Sequence, residues 1–90
     1  MACERWERLM QAAEKAGNKE KALEFREKFV ECIVYTVQSL VSAKRLDEAE
    51  ELVKRGLEAA KAYGIEELGF HMELNRKRIE AIRAARAQTR

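Results

Sequence analysis

The chemically most distinctive part of the sequence is its C-terminal segment, in which basic residues far outnumber acidic ones. Residues 75–90 carry six basic side chains and one acidic side chain, a net charge of +5, whereas residues 1–74 carry twelve basic and fifteen acidic side chains, a net charge of −3. Such a cluster can bind nucleic-acid phosphates or an acidic protein surface. The candidate phosphate contacts are Arg76, Lys77, Arg78, Arg83 and Arg86. The alternative is that these cations only complement a helix dipole and keep the helix end soluble.

The residue types that usually carry catalysis or bind metals are few and scattered. His71 is the only histidine, and the only carboxylate at helical spacing from it is Glu67. Ser39 and Ser42 lie in no nucleophile motif, and the sequence contains no glycine-rich phosphate loop. A structural zinc site would need further histidines or a cysteine pair at short spacing. We therefore expect no enzymatic activity, no metal and no cofactor, with His71 solvated or packed at the edge of the core.

The cysteines and the hydropathy of the chain indicate a soluble protein of the cytoplasm. Cys3 and Cys32 lie far apart in the sequence and form no CxxC motif, so we expect buried free thiols and a reducing compartment. The N-terminal "MACERWERLMQ" is charged from Glu4 onward, unlike a signal peptide. The longest apolar-rich stretch, "FVECIVYTVQSLV" at 29–41, is too short to cross a bilayer. No membrane partner is expected.

Composition and periodicity predict that these residues are carried by helices. The sequence has no proline and only four glycines, and alanine, leucine, glutamate, lysine and arginine dominate. This composition is typical of very helical proteins and of proteins from hot environments. Apolar residues at helical spacing predict helices over residues 3–16, 19–44, 46–63 and 66–87. The expected fold is all-α, a compact antiparallel bundle of four helices forming a single domain over residues 1–90, with the last few residues frayed.

Short local motifs predict where the helices begin and end. Gly17 and Gly64 can adopt the left-handed conformation that closes a helix, and Asn18 can cap the helix that follows. Asp47 with Glu50 three positions later is the pattern of a capping box. Each of these motifs implies a tight connection, and hence antiparallel neighbours.

An internal similarity links the first half of the chain to a known family of helical repeats. The stretch "GNKEKALEFREKF" at 17–29 returns in altered form as "KRLDEAEELVKRG" at 44–56. With Trp6-x-x-Leu9 before it, the first copy resembles the tetratricopeptide repeat, and its "GN-x-x-x-AL" hairpin is also similar to the microtubule-interacting and trafficking module. The resemblance implies a helical hairpin that holds other proteins.

The spacing of the two copies differs from that of the family. The family repeats with a period of roughly 34 residues, and the two copies here begin closer together than that. The shorter period removes the turn between repeats, so the second helix is expected to run on without a break. A break near residues 36–39 would instead give five helices.

An excess of apolar surface predicts self-association. The second helix is apolar on two faces, and Phe70 and Leu74 lie off the apolar stripe of the fourth helix. A homodimer would cover these residues, and Asn75 within the stripe could fix its register.

These observations lead to one preferred function and one alternative. The preferred function is a small non-enzymatic protein–protein interaction module, an adaptor or accessory subunit, whose partner is an acidic amphipathic helix. Its candidate partner surface consists of Phe70, Leu74, Arg76, Lys77 and Arg78. The alternative is a nucleic-acid-binding protein that uses the basic C-terminal helix.

Overall fold

The structure, a computed structural model, describes residues 2–88 and contains four α-helices in that part of the chain. They are α1 (Ala2–Lys15), α2 (Lys19–Ser42), α3 (Leu46–Tyr63) and α4 (Glu66–Gln88). No strand occurs among the described residues. The predicted all-α fold with four helices is therefore confirmed, and each boundary lies within two residues of its predicted position. The fraying expected at the end of the chain concerns residues beyond Gln88, which lie outside the described range.

The second helix is continuous, although the chain forms two compact units. The boundary between the units falls between Tyr35 and Thr36, inside α2. The stretch 36–39, where a break would have produced five helices, is regular helix. That the chain is a single domain over residues 1–90 stays a prediction.

In the N-terminal unit, α1 and the first part of α2 form an antiparallel hairpin. Trp6 near the start of α1 contacts Phe25 on α2, with ring centroids 6.2 Å apart. Gly17 takes the left-handed conformation at φ 73°, and the Asn18 side chain accepts a hydrogen bond from the Lys21 amide at 3.1 Å. Both roles that the sequence predicts for this turn, the glycine stop and the asparagine cap, are confirmed.

The same hairpin corrects the interpretation of the cysteines. Cys3 and Cys32 form a disulfide bond, with a Cα–Cα distance of 5.5 Å, and no free cysteine is present among the described residues. The expectation of two free thiols is wrong, because the antiparallel hairpin brings the start of α1 opposite the middle of α2. The long sequence separation hid this proximity, since no local motif marks it.

In the C-terminal unit, α3 and α4 pack antiparallel around a core of small and medium-sized side chains. Gly64 closes α3 in the left-handed conformation at φ 65°, and the amide of Ile65 donates to the carbonyl oxygen of Ala60 at 2.8 Å. A β-carbon placed at Gly69 of α4 would lie 3.6 Å from that of Ala60, so the two backbones approach closely. The buried residues of the two helices are Leu46, Ala49, Leu52, Val53, Gly56, Ala60, Leu68, Met72, Asn75 and Ile79.

The connection between α2 and α3 differs from the predicted one. Lys44 closes α2 in the left-handed conformation at φ 62°, and the amide of Arg45 donates to the carbonyl oxygen of Leu40 at 2.9 Å. Arg45 occupies the N-cap position of α3 and makes no side-chain cap. The predicted capping box of Asp47 and Glu50 is therefore wrong, because both carboxylates bind an arginine of α4 instead.

Candidate nucleic-acid interface

The outward face of α4 carries two uncovered apolar side chains followed by two cations. Phe70 is 63% exposed and Leu74 is 50% exposed, as expected from their positions off the apolar stripe. With 3.6 residues per turn, Lys77 and Arg78 follow Leu74 on the same face. Both are exposed, and within the described part of the chain neither forms an ion pair. We call these four residues the outward face.

Arg76 lies between these residues in sequence but is bound by carboxylates of its own helix. Its Nε and Nη2 atoms donate to Glu73 Oε2 at 3.0 and 2.9 Å, and Nη1 donates to Glu80 Oε1 at 2.6 Å. The hydrogen bond and the charge of Glu73, together with the charge of Glu80, raise the pKa of Arg76 above its ordinary value. Its positive charge is thus largely compensated within α4.

Arg83 links α4 to the first turns of α3. Its Nη1 atom donates to Glu50 Oε2 and its Nη2 atom donates to Asp47 Oδ1, both at 2.7 Å. The hydrogen bond to Glu50 is the main cause that raises the pKa of Arg83, and burial opposes it. These charge-assisted bonds place Arg83 in the contact between the two helices. Sequence analysis missed this role, and the only local indication was the pair of carboxylates at the start of α3.

The five cations predicted as phosphate contacts therefore do not form one patch. Arg83 follows Leu74 by about two and a half helical turns, so it lies on the opposite side of α4. Arg76 lies on a flank of α4, where it is ion-paired with Glu73 and Glu80. Arg86 is exposed in the last turn of the helix. Only Lys77 and Arg78 share the face of Phe70 and Leu74.

Of the residues that were expected to support a homodimer, Asn75 and five apolar residues of α2 are buried within the chain, whereas Phe70 and Leu74 are exposed. Asn75 is buried, and its side-chain amide donates to the carbonyl oxygen of His71 at 2.8 Å. It therefore does not lie on an open seam. Five apolar residues of α2 are buried, and they are drawn from both of its apolar faces: Phe29, Val30, Ile33, Val37 and Val41. The arguments for a homodimer from Asn75 and from the two-sided apolarity of α2 thus lose their basis, and the homodimer itself is not supported.

Neither a metal site nor a membrane-spanning segment is found in the described part of the chain. Residues 2–88 hold no cluster of three or more histidine, cysteine, aspartate or glutamate side chains suited to a metal ion. Over the same range, every helix is too short or too polar to cross a bilayer.

Comparison with known protein families identifies the chain. The sequence model of the family Archaeal ribosomal protein aL49 matches residues 2–86, which is nearly the whole chain. The chain belongs to this family. No curated protein sequence shows significant similarity to it.

Membership in this family overturns two predictions from the sequence. The resemblance to the tetratricopeptide and microtubule-interacting modules is wrong, since the family is a different one. The physical reason is that the motif carrying the resemblance, a glycine stop followed by an asparagine cap, is local turn chemistry that unrelated helical hairpins also use. The preferred function, a self-associating adaptor or accessory module for an acidic helix, is wrong as well. The alternative, a nucleic-acid-binding protein, agrees better with a ribosomal family.

Proposed function

We propose that this chain is a non-enzymatic structural component of the archaeal ribosome that binds ribosomal RNA. The observation that carries the proposal is the match of a ribosomal protein family to residues 2–86. A ribosomal protein works in the cytoplasm, surrounded by RNA phosphates and by other ribosomal proteins. The fold supports a structural role, since the disulfide links α1 to α2 and the ion pairs of Arg83 link α4 to α3.

Lys77 and Arg78 are the cations we propose as the main phosphate contacts. Both are exposed on the outward face of α4, and neither is engaged by a carboxylate of the described chain. When a cation with no internal ion pair binds an RNA phosphate, it releases a counterion from the RNA without first having to break a bond within the protein. Arg86, exposed further along α4, is a further candidate contact.

Arg76 and Arg83 have a smaller part in this proposal. To bind a phosphate, each would first have to give up charge-assisted hydrogen bonds to carboxylates. We therefore assign them a positioning role: Arg83 fixes α4 against α3, and Arg76 neutralises the acidic flank of α4. Of the five cations predicted from the sequence, these two contribute least to RNA affinity.

Binding to ribosomal RNA tests this proposal directly. We expect the purified protein to bind RNA extracted from archaeal ribosomes in a salt-sensitive manner, measured by filter binding at several salt concentrations. A variant with all five cations replaced, Arg76→Gln, Lys77→Gln, Arg78→Gln, Arg83→Gln and Arg86→Gln, should lose this binding. Failure of the natural chain to bind ribosomal RNA would contradict the proposal.

A matched pair of variants tests which face is used. Lys77→Gln with Arg78→Gln should weaken binding by roughly tenfold or more, because two phosphate contacts are lost. The control is Lys54→Gln with Lys61→Gln, which removes the same charge from exposed positions on α3. Equal losses in the two variants would indicate attraction by overall charge rather than by the outward face.

A further inference from the structure

We infer that Phe70 stacks on an unpaired base of ribosomal RNA while Lys77 and Arg78 hold the phosphates next to that base. This inference rests on the proposed function and extends it from phosphate attraction to the recognition of a single-stranded or bulged nucleotide. Sequence-specific contacts to RNA mostly involve such unpaired bases stacked on aromatic rings.

The geometry of Phe70 fits this role. The side chain is 63% exposed, although burial of an aromatic ring is normally strongly favourable. The His71 ring meets it edge-on, with ring centroids 5.8 Å apart and an interplanar angle of 72°. An edge contact of this kind supports the ring without covering both of its faces. Leu74, one turn further along, adds apolar surface beside it.

The two cations that follow Phe70 along α4 favour an anionic ligand on the C-terminal side of the ring. Lys77 lies two helical turns after Phe70, about 10.5 Å along the helix axis, which is the length of about three stacked nucleotides. The two carboxylates on the flank of this face are ion-paired with Arg76. Glu66 and Glu67 lie one turn before Phe70, on its N-terminal side and away from the two cations. A strand whose base stacks on Phe70 can therefore place its following phosphates beside Lys77 and Arg78.

An RNA base fits this surface better than a protein does. A stable protein–protein interface buries about 800 Å² on each partner, whereas a large aromatic side chain contributes about 150–250 Å². Phe70 and Leu74 are the only large apolar side chains exposed on described α4, so they cannot form the core of such an interface. One exposed ring is enough for one base, and such a stack is tolerant of sequence.

The experiment compares two substitutions that keep apolar bulk but differ in the ring. Phe70→Leu removes the aromatic face, and Phe70→Trp retains it. We expect Phe70→Leu to weaken binding to RNA from archaeal ribosomes by about 5- to 100-fold, and Phe70→Trp to bind like the natural chain. Binding to a fully paired RNA duplex should be equal for all three proteins. Because Phe70 is exposed, the thermal midpoints should coincide, which circular dichroism checks.

The outcomes separate this inference from the proposed function. If Phe70→Leu binds ribosomal RNA like the natural chain while Lys77→Gln with Arg78→Gln is weakened, stacking is overturned and phosphate binding stands. If Phe70→Leu binds RNA normally but Phe70→Ala is lost from assembled ribosomes, the residue contacts a neighbouring protein and the inference is wrong. If the natural chain does not bind ribosomal RNA at all, both the inference and the proposed function fall.

Discussion

Lys44 occupies a position for which the other two interhelical turns use glycine. Gly17, Lys44 and Gly64 all have left-handed backbones, at φ 73°, 62° and 65°. In each turn the amide of the next residue bonds back to a carbonyl five positions earlier, as in a Schellman motif. For a residue with a β-carbon this conformation costs about 1–2 kcal/mol. Lys44 therefore holds local backbone strain at an exposed loop.

Replacing Lys44 by glycine should stabilise the protein. The relief of about 1–2 kcal/mol in the folded state exceeds the roughly 0.4–1 kcal/mol that glycine costs by loosening the unfolded chain. We expect Lys44→Gly to raise the free energy of unfolding by about 0.5–1 kcal/mol, measured by urea denaturation. Arg45→Gly is the control, since Arg45 has φ −88° and gains no relief. A Lys44→Gly protein no more stable than the natural chain would show that the turn carries no strain.

The ion pair of Arg83 should stabilise the C-terminal unit in a salt-dependent manner. Arg83→Gln removes two charge-assisted hydrogen bonds between α4 and α3 and is expected to lower the thermal midpoint at low salt. The difference should shrink at about 1 M salt, where the Debye length falls to about 3 Å, because Arg83 and both carboxylates are partly exposed to solvent. Arg78→Gln, which breaks no ion pair of the described chain, should leave the midpoint unchanged. An Arg83→Gln effect that is independent of salt would show that packing, not charge, is lost.

The role of a single residue could be predicted where it depends on neighbours within the same helix, and not where it depends on contacts between helices. The exposure of Phe70 and Leu74 followed from their angular positions on one helix, and the structure confirms it. The pairing of Arg83 with residues 33 and 36 positions away could not be foreseen, because it depends on the rotation of α4 against α3. For the same reason, the basic residues of the C-terminal segment do not act together: they are close in sequence but lie on different sides of α4.

The local sequence was sufficient to predict where each helix begins and ends, but it was insufficient to predict the bonds between helices. Glycine stops and an asparagine cap act within a few residues, so periodicity and turn chemistry located all four helices. The capping box failed because Asp47 and Glu50 found a stronger partner in Arg83. The disulfide was missed because only the packing of α1 on α2 brings the two thiols together.

The disulfide should contribute substantially to the stability of the α1–α2 hairpin. The two cysteines have a sequence separation of 29, and closing a loop of that length removes unfolded-chain entropy worth about 3–4 kcal/mol at 25 °C. We expect Cys3→Ala with Cys32→Ala to lower the free energy of unfolding by about this amount, measured in urea. A reducing agent should destabilise the natural chain equally and leave the double variant unchanged. Identical stability with and without reductant would mean that the bond is not formed in solution.

The disulfide also indicates the temperature at which the protein works. Intracellular disulfides are rare in most organisms, but they are abundant in hyperthermophilic archaea. The cysteine pair and the Glu/Lys/Arg-rich composition therefore agree with a protein that works at high temperature. The earlier inference of a reducing compartment from unpaired cysteines loses its basis, since the cysteines are paired.

With a net charge of only +2, the proposed binding to RNA depends on how the charges are arranged rather than on their sum. Each phosphate contact contributes about one unit to the slope of the logarithm of the binding constant against the logarithm of salt concentration. Lys77→Gln with Arg78→Gln should therefore reduce the slope for ribosomal RNA by about two. Arg76→Gln with Arg83→Gln removes the same formal charge, but those guanidinium groups are already held by carboxylates. The slope of that variant should stay close to that of the natural chain, provided that circular dichroism shows it to be folded. If the two double variants lower the slope equally, the internal ion pairs open on binding, and the whole basic segment rather than one face of α4 contacts the RNA.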